Sequence, residues 1–296
     1  YIRVERMAED VADARGARAL FAWYLADEPD LNDLAPERYR EQAARLRRLD
    51  PARPIFLTVL SPRRYEEYAD ACDIFATTLY PVRRDDDREN TLWSVGWAVE
   101  AARRAAGDRP VWAVLQAFHA APIWERNPTP DELRVMAFLA LNHGASGLLF
   151  FSWKSGDRTL PEHEDLYAAI LELNAQVTAL RGPLLLPPMP WAPAMTVTKE
   201  EKDDTLRFAQ LPERAAQRPP LDCSLRSLGR AHLFIAVNPD PWGKTVAIAL
   251  PTELAGRRIT EIYSTADDEP LCGEIPPDGG LELDFLWHDV RLFWIE

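Results

Sequence analysis

Two adjacent acids, Asp27 and Glu28, close the apolar run from Phe21 to Ala26, and Pro29 and Asp30 follow them. An acid at the C-terminal end of a strand stands where (β/α)8 barrels assemble their active sites. Alternation along such a strand puts Tyr24, Ala26 and Glu28 on one face and Trp23, Leu25 and Asp27 on the other. The bulky apolar set suits packing beneath helices, so Glu28 is expected on the inner face. A carboxyl held beside apolar walls has a raised pKa, which fits a general acid. The competing reading is that Asp27, Glu28 and Asp30 are loop acids drawn to the dipole of a following helix. That helix, however, starts only near Pro36.

Other candidates lie at the ends of later apolar runs. Tyr80 shares a strand face with Thr78 and Ala76, and Gln116 lies near the end of the run Pro110 to Phe118. Trp124 and Trp153 stand in or beside strand-end loops, where an indole can pack on the apolar face of a sugar or simply join the core. His119 follows the Gln116 strand, and Lys154 is placed to bind a hydroxyl or carboxylate, as an acidic sugar would offer. The run Arg83 to Arg88 holds Asp85, Asp86 and Asp87 without calcium-loop spacing, and a self-paired, solvated turn explains it. His143 suits a helix C-terminus electrostatically.

The elements that must position these residues follow a regular alternation. Strands are expected at Leu20 to Ala26, Pro54 to Leu60, Ile74 to Tyr80, Pro110 to Phe118 and Gly147 to Trp153. Helices are expected at Pro36 to Leu49, Pro62 to Ala71, Thr91 to Ala106, Pro130 to His143 and Glu162 to Leu180. Strand followed by helix five times over implies parallel pairing with helical crossovers. Thr129-Pro130-Asp131-Glu132 is a capping box with Pro at the first helical position, Leu133, Met136, Ala137, Ala140 and Leu141 form one apolar face, and Gly144 ends the helix. From about Pro190 the pattern changes to short strands: Met195 to Lys199, Thr205 to Leu211, Leu233 to Val237, Thr245 to Leu250, Ile259 to Ser264, Leu281 to Leu286 and Val290 to Ile295. Their spacing suggests an antiparallel β-sandwich. The expected domains are residues 1–185 and 190–296, with a proline-rich junction between Gly182 and Pro193.

Size and composition narrow the field. The chain has 296 residues, 47% hydrophobic and 27% charged, which excludes disorder and coiled coil. Its 34 Lys and Arg against 47 Asp and Glu leave a net charge of −13, the wrong sign for neutralising nucleic-acid phosphates. No apolar run reaches the roughly 20 residues of a membrane span. Three scattered cysteines offer neither a disulfide framework nor a structural zinc site, and no dinucleotide, P-loop or metalloprotease motif suggests a cofactor. A complete eight-stranded barrel takes about 250 residues, so five units leave about three unaccounted for. The chain, which opens on Tyr1, is therefore expected to be the later part of a larger protein.

Tyr24-Leu25-Ala26-Asp27-Glu28-Pro29 resembles the fourth-strand signature of the clan A glycoside hydrolases, in which Asn-Glu-Pro or a close variant carries the acid/base Glu. It also resembles a set of glycosidase-like barrels that carry a Tyr-Leu-Ala-Asp-Glu-Pro run. The resemblance implies a (β/α)8 barrel in which the five strands are the fourth to the eighth and the first three precede Tyr1. It makes Glu28 the acid/base and puts Asp27 in place of the Asn that contacts the sugar 2-hydroxyl. Tyr80-Pro81 would end the sixth strand and Trp153 the eighth. One position departs from the pattern: where the clan carries its nucleophilic Glu, at the end of the seventh strand, this sequence has Gln116. Gln cannot form a glycosyl ester. Asp27, Glu125, one of Asp85 to Asp87, or a residue of the missing strands would have to act as the second carboxylate. Retaining pairs lie about 5–5.5 Å apart and inverting pairs about 6.5–9.5 Å.

Three functional expectations follow. The first is a glycosidase acting on a poly- or oligosaccharide, for which export to a secreted or periplasmic location is the natural expectation. The second is a catalytically silent carbohydrate-binding protein on the same fold. The third makes the β-sandwich the recognition module and the barrel its scaffold. Sugar, linkage, stereochemical outcome and oligomeric state are not written in the sequence.

Overall fold

The computed structural model describes residues 6–83, 92–155, 157–201, 218–263 and 270–296. In chain order come α1 (Met7–Ala14), β1 (Trp23–Ala26), α2 (Pro36–Leu49), β2 (Ile55–Val59), α3 (Tyr65–Tyr68), β3 (Ile74–Thr78), α4 (Ser94–Ala106), β4 (Val111–Gln116), α5 (Pro130–Asn142) and β5 (Gly147–Phe151). The short strands β6 (Lys154–Ser155) and β7 (Arg158–Thr159) precede α6 (Glu164–Ala179) and α7 (Arg181–Leu184). The remaining strands are β8 (Met195–Glu201), β9 (Asp222–Leu228), β10 (Ala231–Asn238), β11 (Gly243–Ala249), β12 (Arg258–Ile262), β13 (Cys272–Glu274), β14 (Gly280–Phe285) and β15 (Asp289–Ile295). The fold class is thus mixed α/β. The chain divides into two compact units, one from Tyr1–Leu79, Trp97–Leu115 and His143–Leu149, the other from Tyr80–Gly96, Gln116–Asn142 and Phe150–Glu296.

The first unit is built on the sheet β1-β2-β3-β4-β5, in which β1 to β4 pair in parallel. Every residue of β3 is buried, as a strand covered on both faces requires. Helix α2 begins at Pro36 and buries Tyr39, Gln42, Ala43 and Leu46, the i, i+3, i+4, i+7 stripe of an amphipathic helix. The stretch Pro62 to Ala71 is not one helix: α3 lies between 3-10 turns at Pro62–Arg64 and Ala69–Ala71. Tertiary bonds override the helical pattern there. The Tyr65 hydroxyl is bonded to Thr77, and the Tyr68 hydroxyl donates to Leu34 O at 2.5 Å. Gly147 has no room for a side chain, since a Cβ would sit 2.6 Å from the Trp112 ring.

In the second unit α5 starts on the expected capping box. Glu132 N donates to Thr129 Oγ1 at 3.2 Å, and Thr129 N donates to Glu132 Oε2 at 2.9 Å. Rather than a single apolar face, the helix is buried at every residue from Glu132 to Asn142 except the half-buried Arg134. It packs on α6, β9, β10 and β15. Its polar groups are spent on those neighbours: Arg134 donates to Val290 O at 2.6 Å and to Tyr263 O at 3.2 Å, and Asn142 accepts from Ser224 Oγ at 2.7 Å. Glu132 forms a bidentate pair with Arg126 at 2.6 and 2.7 Å.

Two antiparallel sheets complete this unit, with orders β13-β12-β15-β10-β9 and β14-β11-β8. Inward residues of both, among them Phe234, Phe293, Val246, Ile248 and Leu283, form one hydrophobic cluster. Strand β14 alternates strictly between exposed and buried residues. Two strands of these sheets, β9 and β13, went unexpected in the sequence, as did the short β6 and β7. Strand β9 looks polar because Asp222, Ser224, Arg226 and Ser227 fall within it; its buried Arg226 donates to the carbonyls of Leu141, Leu184 and Leu186. Burial lowers its pKa to about 10. The expected strand Thr205 to Leu211 lies outside the described residues. No helix among the described residues is long and apolar enough to cross a membrane.

Candidate active site

Strand β1 ends at Ala26, and the chain leaves it through Asp27 and Glu28 into a 3-10 turn, Pro29–Asn32. Glu28 adopts the left-handed conformation, φ 42° and ψ 57°. For a residue that carries a side chain and precedes proline this is a costly geometry, on the order of 1–3 kcal/mol. Contacts from β2 hold it: Glu28 N donates to Thr58 O and to Thr58 Oγ1, each at 3.2 Å. Asp30 fixes the other side of the turn, its two carboxylate oxygens accepting from Leu60 N at 3.1 Å and Ser61 N at 2.7 Å. Asp30 is therefore spent on structure.

The expected alternation does not hold at Asp27. The register of β1 against β2 shifts between Tyr24 and Ala26. Such a shift changes the phase of the residues beyond it, and Tyr24 and Asp27 meet: the Tyr24 hydroxyl donates to Asp27 Oδ1 at 2.5 Å, and Thr58 Oγ1 donates to the same oxygen at 3.0 Å. Burial and the Asp27 carboxylate together push the Tyr24 phenol up, so it stays a donor. Glu28 is half-buried, and its pKa is raised by burial, with repulsion from Asp27 and Asp30 adding to the effect. The nearby Thr78 hydroxyl opposes the rise. The first unit thus presents, on a backbone held by Thr58, a half-buried carboxyl whose pKa is raised by burial.

The remaining candidates belong to the second unit. Tyr80 packs edge-on against Phe118 at 5.0 Å and Trp124 at 6.1 Å, and lies nearly parallel to Phe151 at 5.9 Å. Trp124 Nε1 donates to Tyr80 O at 3.2 Å. Phe151 is 48% exposed and Trp153 61% exposed, the latter edge-on to Tyr167 at 6.4 Å. Strand β5 ends at Phe151, before Trp153. Lys154 is exposed on β6. His119 Nδ1 is 3.4 Å from Asn127 Oδ1, and Asn127 Nδ2 donates to His163 Nδ1 at 3.2 Å. Glu125 is exposed, and its backbone N donates to Arg83 O at 2.7 Å. Gln116 is fully buried, its side-chain amide bonded to Val82 and Phe118 backbone atoms. Asp85, Asp86 and Asp87 lie outside the described residues. Among the described residues no group of three His, Cys, Asp or Glu is arranged to hold a metal ion.

Sequence reasoning passed over Thr58 and Thr78 and the rings of Phe118 and Phe151. The two threonines did carry a signal, as hydroxyls near the C-terminal ends of the largely apolar strands β2 and β3.

No curated protein matches the chain by sequence. Among solved structures, an alpha-amylase from Geobacillus thermoleovorans in complex with acarbose has a TM-score of 0.56 at 12% identity, covering 99% of this chain and 63% of its own. A GH30 endoxylanase from Clostridium papyrosolvens C71 has a TM-score of 0.55 at 7% identity, with 99% and 72% covered. A beta-galactosidase from Bacillus circulans sp. alkalophilus has a TM-score of 0.53 at 9% identity, with 88% and 66% covered. The chain thus spans about two thirds of these proteins, and the likeness is one of fold. The profile of the glycoside hydrolase 42 family, described as beta-galactosidase, matches residues 32–179, half of the chain. That span begins after the Tyr24 to Pro29 motif, so it supports the kinship independently of the residues that suggested it. By this match the chain belongs to the glycoside hydrolase 42 family.

Proposed function

We propose that the protein is a glycosidase acting on a poly- or oligosaccharide, with Glu28 as the general acid/base and Asp27 as the carboxylate that accompanies it. The observation that carries this reading is a half-buried carboxyl with a raised pKa, on a backbone held at the end of a strand by Thr58 and by the Asp30-held turn. In the first step Glu28 gives its proton to the leaving-group oxygen as the glycosidic C–O bond breaks, with the Asp27 carboxylate offsetting the positive charge that develops at the anomeric carbon. The ionised Glu28 then takes a proton from the water whose oxygen bonds to that carbon. Tyr80, Trp124 and Trp153 serve as apolar surfaces for sugar rings, and Lys154 and His119 as hydroxyl or carboxylate partners. The parallel sheet reads as an arc of a (β/α)8 barrel within residues 1–185, and residues 190–296 as an antiparallel β-sandwich, in keeping with the likeness to glycoside hydrolases. The family description makes β-galactosides the first substrates to try.

The test compares Glu28→Gln with the parent on 4-nitrophenyl β-galactoside and on lactose. Loss of proton donation is expected to lower lactose turnover about 10²–10⁴-fold, and to matter far less for an aryl galactoside whose leaving group needs no proton. Parent activity is expected to fall as pH rises through the Glu28 pKa, because the acid form is then lost. Equal rates for Glu28→Gln and parent on lactose would overturn the assignment. A second reading, a carbohydrate-binding protein without turnover, is favoured by one observation: Gln116 occupies the position where the resemblance calls for a nucleophilic carboxylate. Lactose binding that is undiminished in Glu28→Gln, with no hydrolysis by the parent, would select it.

A further inference from the structure

The side-chain amide of Gln116 pairs with one backbone residue as a peptide group would. Its Oε1 accepts from Val82 N at 3.0 Å, and its Nε2 donates to Val82 O at 2.7 Å. The second Nε2 hydrogen goes to Phe118 O at 3.3 Å. Gln116 and Val82 are both fully buried. Both amide hydrogens are therefore used, and no donor remains for a ligand. The same short segment is held at two further carbonyls, Tyr80 O by Trp124 Nε1 at 3.2 Å and Arg83 O by Glu125 N at 2.7 Å. The first of these bonds joins two residues that carry aromatic rings. Tyr80 stands two residues before Val82 and Phe118 two residues after Gln116, and Phe118 lies edge-on to Tyr80, Trp124 and Phe151 at 5.0, 5.3 and 5.3 Å.

We infer that Gln116 is a positioning residue: its amide clamps Val82 and so sets the Tyr80, Phe118, Trp124 and Phe151 rings in the arrangement that receives a sugar. The sugar-binding role of those rings rests on the function proposed above; the clamp itself does not. The chemistry explains why an amide stands there. An ionised carboxylate can accept from Val82 N but has no hydrogen for Val82 O or Phe118 O, and it would be buried against two carbonyl oxygens. A protonated carboxyl, by contrast, can make both Val82 bonds. Gln116→Glu is thus a clamp that works only while it keeps its proton.

The experiment uses the full chain with Gln116→Glu and Gln116→Leu, followed from about pH 4 to about pH 10. That range extends past the pKa of about 8–9 that a buried Glu can reach. Two quantities are read, the hydrogen-exchange protection of the Val82 amide without ligand and the affinity for lactose. For Gln116→Glu, Val82 protection near the parent value is expected at the acid end, falling at least tenfold as pH rises, with lactose affinity falling in step. Gln116→Leu should lack the protection throughout. Protection of Val82 that stays at the parent level in Gln116→Glu across the range would overturn the clamp. So would a gain of galactosidase turnover in Gln116→Glu at neutral pH, since that would make the position a vacant nucleophile site. A pH-dependent loss of Val82 protection with unchanged lactose affinity would uphold the clamp and overturn the assignment of the aromatic cluster to sugar binding. If Gln116→Leu fails to fold, the pH profile of Gln116→Glu still decides.

Discussion

At Glu28 two costs coincide, a left-handed backbone and a carboxyl removed from water. Neither serves the fold, and strain of this kind persists where surrounding contacts over-determine it. The titration has a stability consequence whose sign is fixed. Burial raises the folded-state pKa, so the contribution of Glu28 is full below the unfolded value of about 4.3 and is lost as pH rises through the folded one. Glu28→Gln, neutral throughout, is expected to melt on the order of 1–3 °C above the parent at pH 7. The gain should vanish near pH 3 in paired calorimetric scans. A variant that melts lower than the parent at pH 7 would mean that the carboxylate is stabilising and the pKa is not raised. Asp27 and Glu28 were legible as a pair because acids rarely close an apolar run. Their environment was not legible, because it depends on the register shift after Tyr24 and on a threonine from the neighbouring strand.

The elements were legible where local chemistry marks their ends. Helix α2 spans the expected Pro36–Leu49, and α5 stops one residue short of the expectation, between its Thr129 cap and Gly144 at φ 95°. Thr129→Ala removes the acceptor for Glu132 N and is expected to cost about 1 kcal/mol, read as a lower urea midpoint at unchanged slope. Glu132 adds weight to that cap. Burial alone would raise its pKa, but the Arg126 pair and the Thr129 N–H outweigh burial and hold it below the usual carboxylate range. Tertiary demand, by contrast, was illegible. Nothing local in Pro62 to Ala71 says that Tyr65 must reach Thr77, and nothing in β9 says that Arg226 will be satisfied by three carbonyls. Gln116 is the sharpest case, since it looked like a lost nucleophile and its role appears only once Val82 is seen beside it.

At the scale of the whole molecule, the antiparallel strands are not a detachable module as far as α5 is concerned. The helix is buried among β9, β10, β15 and α6, and Arg134 and Asn142 end on partners from the C-terminal part. Truncation after residue 185 is therefore expected to leave α5 with an uncovered apolar side and orphaned polar groups. The product should be largely insoluble, or soluble only with strong binding of a hydrophobic dye; a soluble, cooperatively folding fragment of residues 1–185 would refute this. The net charge of −13 favours solubility of the intact chain and does not compensate for an exposed core helix. The Arg134 bond to Val290 also sets an order of events during synthesis. Its partners lie 156 residues apart, so the helix is made long before the strand that covers it leaves the ribosome. At the usual pace of synthesis of about 5–20 residues per second, α5 waits some 8 to 30 seconds for that strand. Until then α6, β9 and β10, which are made sooner, cover only part of that apolar helix, and a chaperone would have an exposed face to protect there.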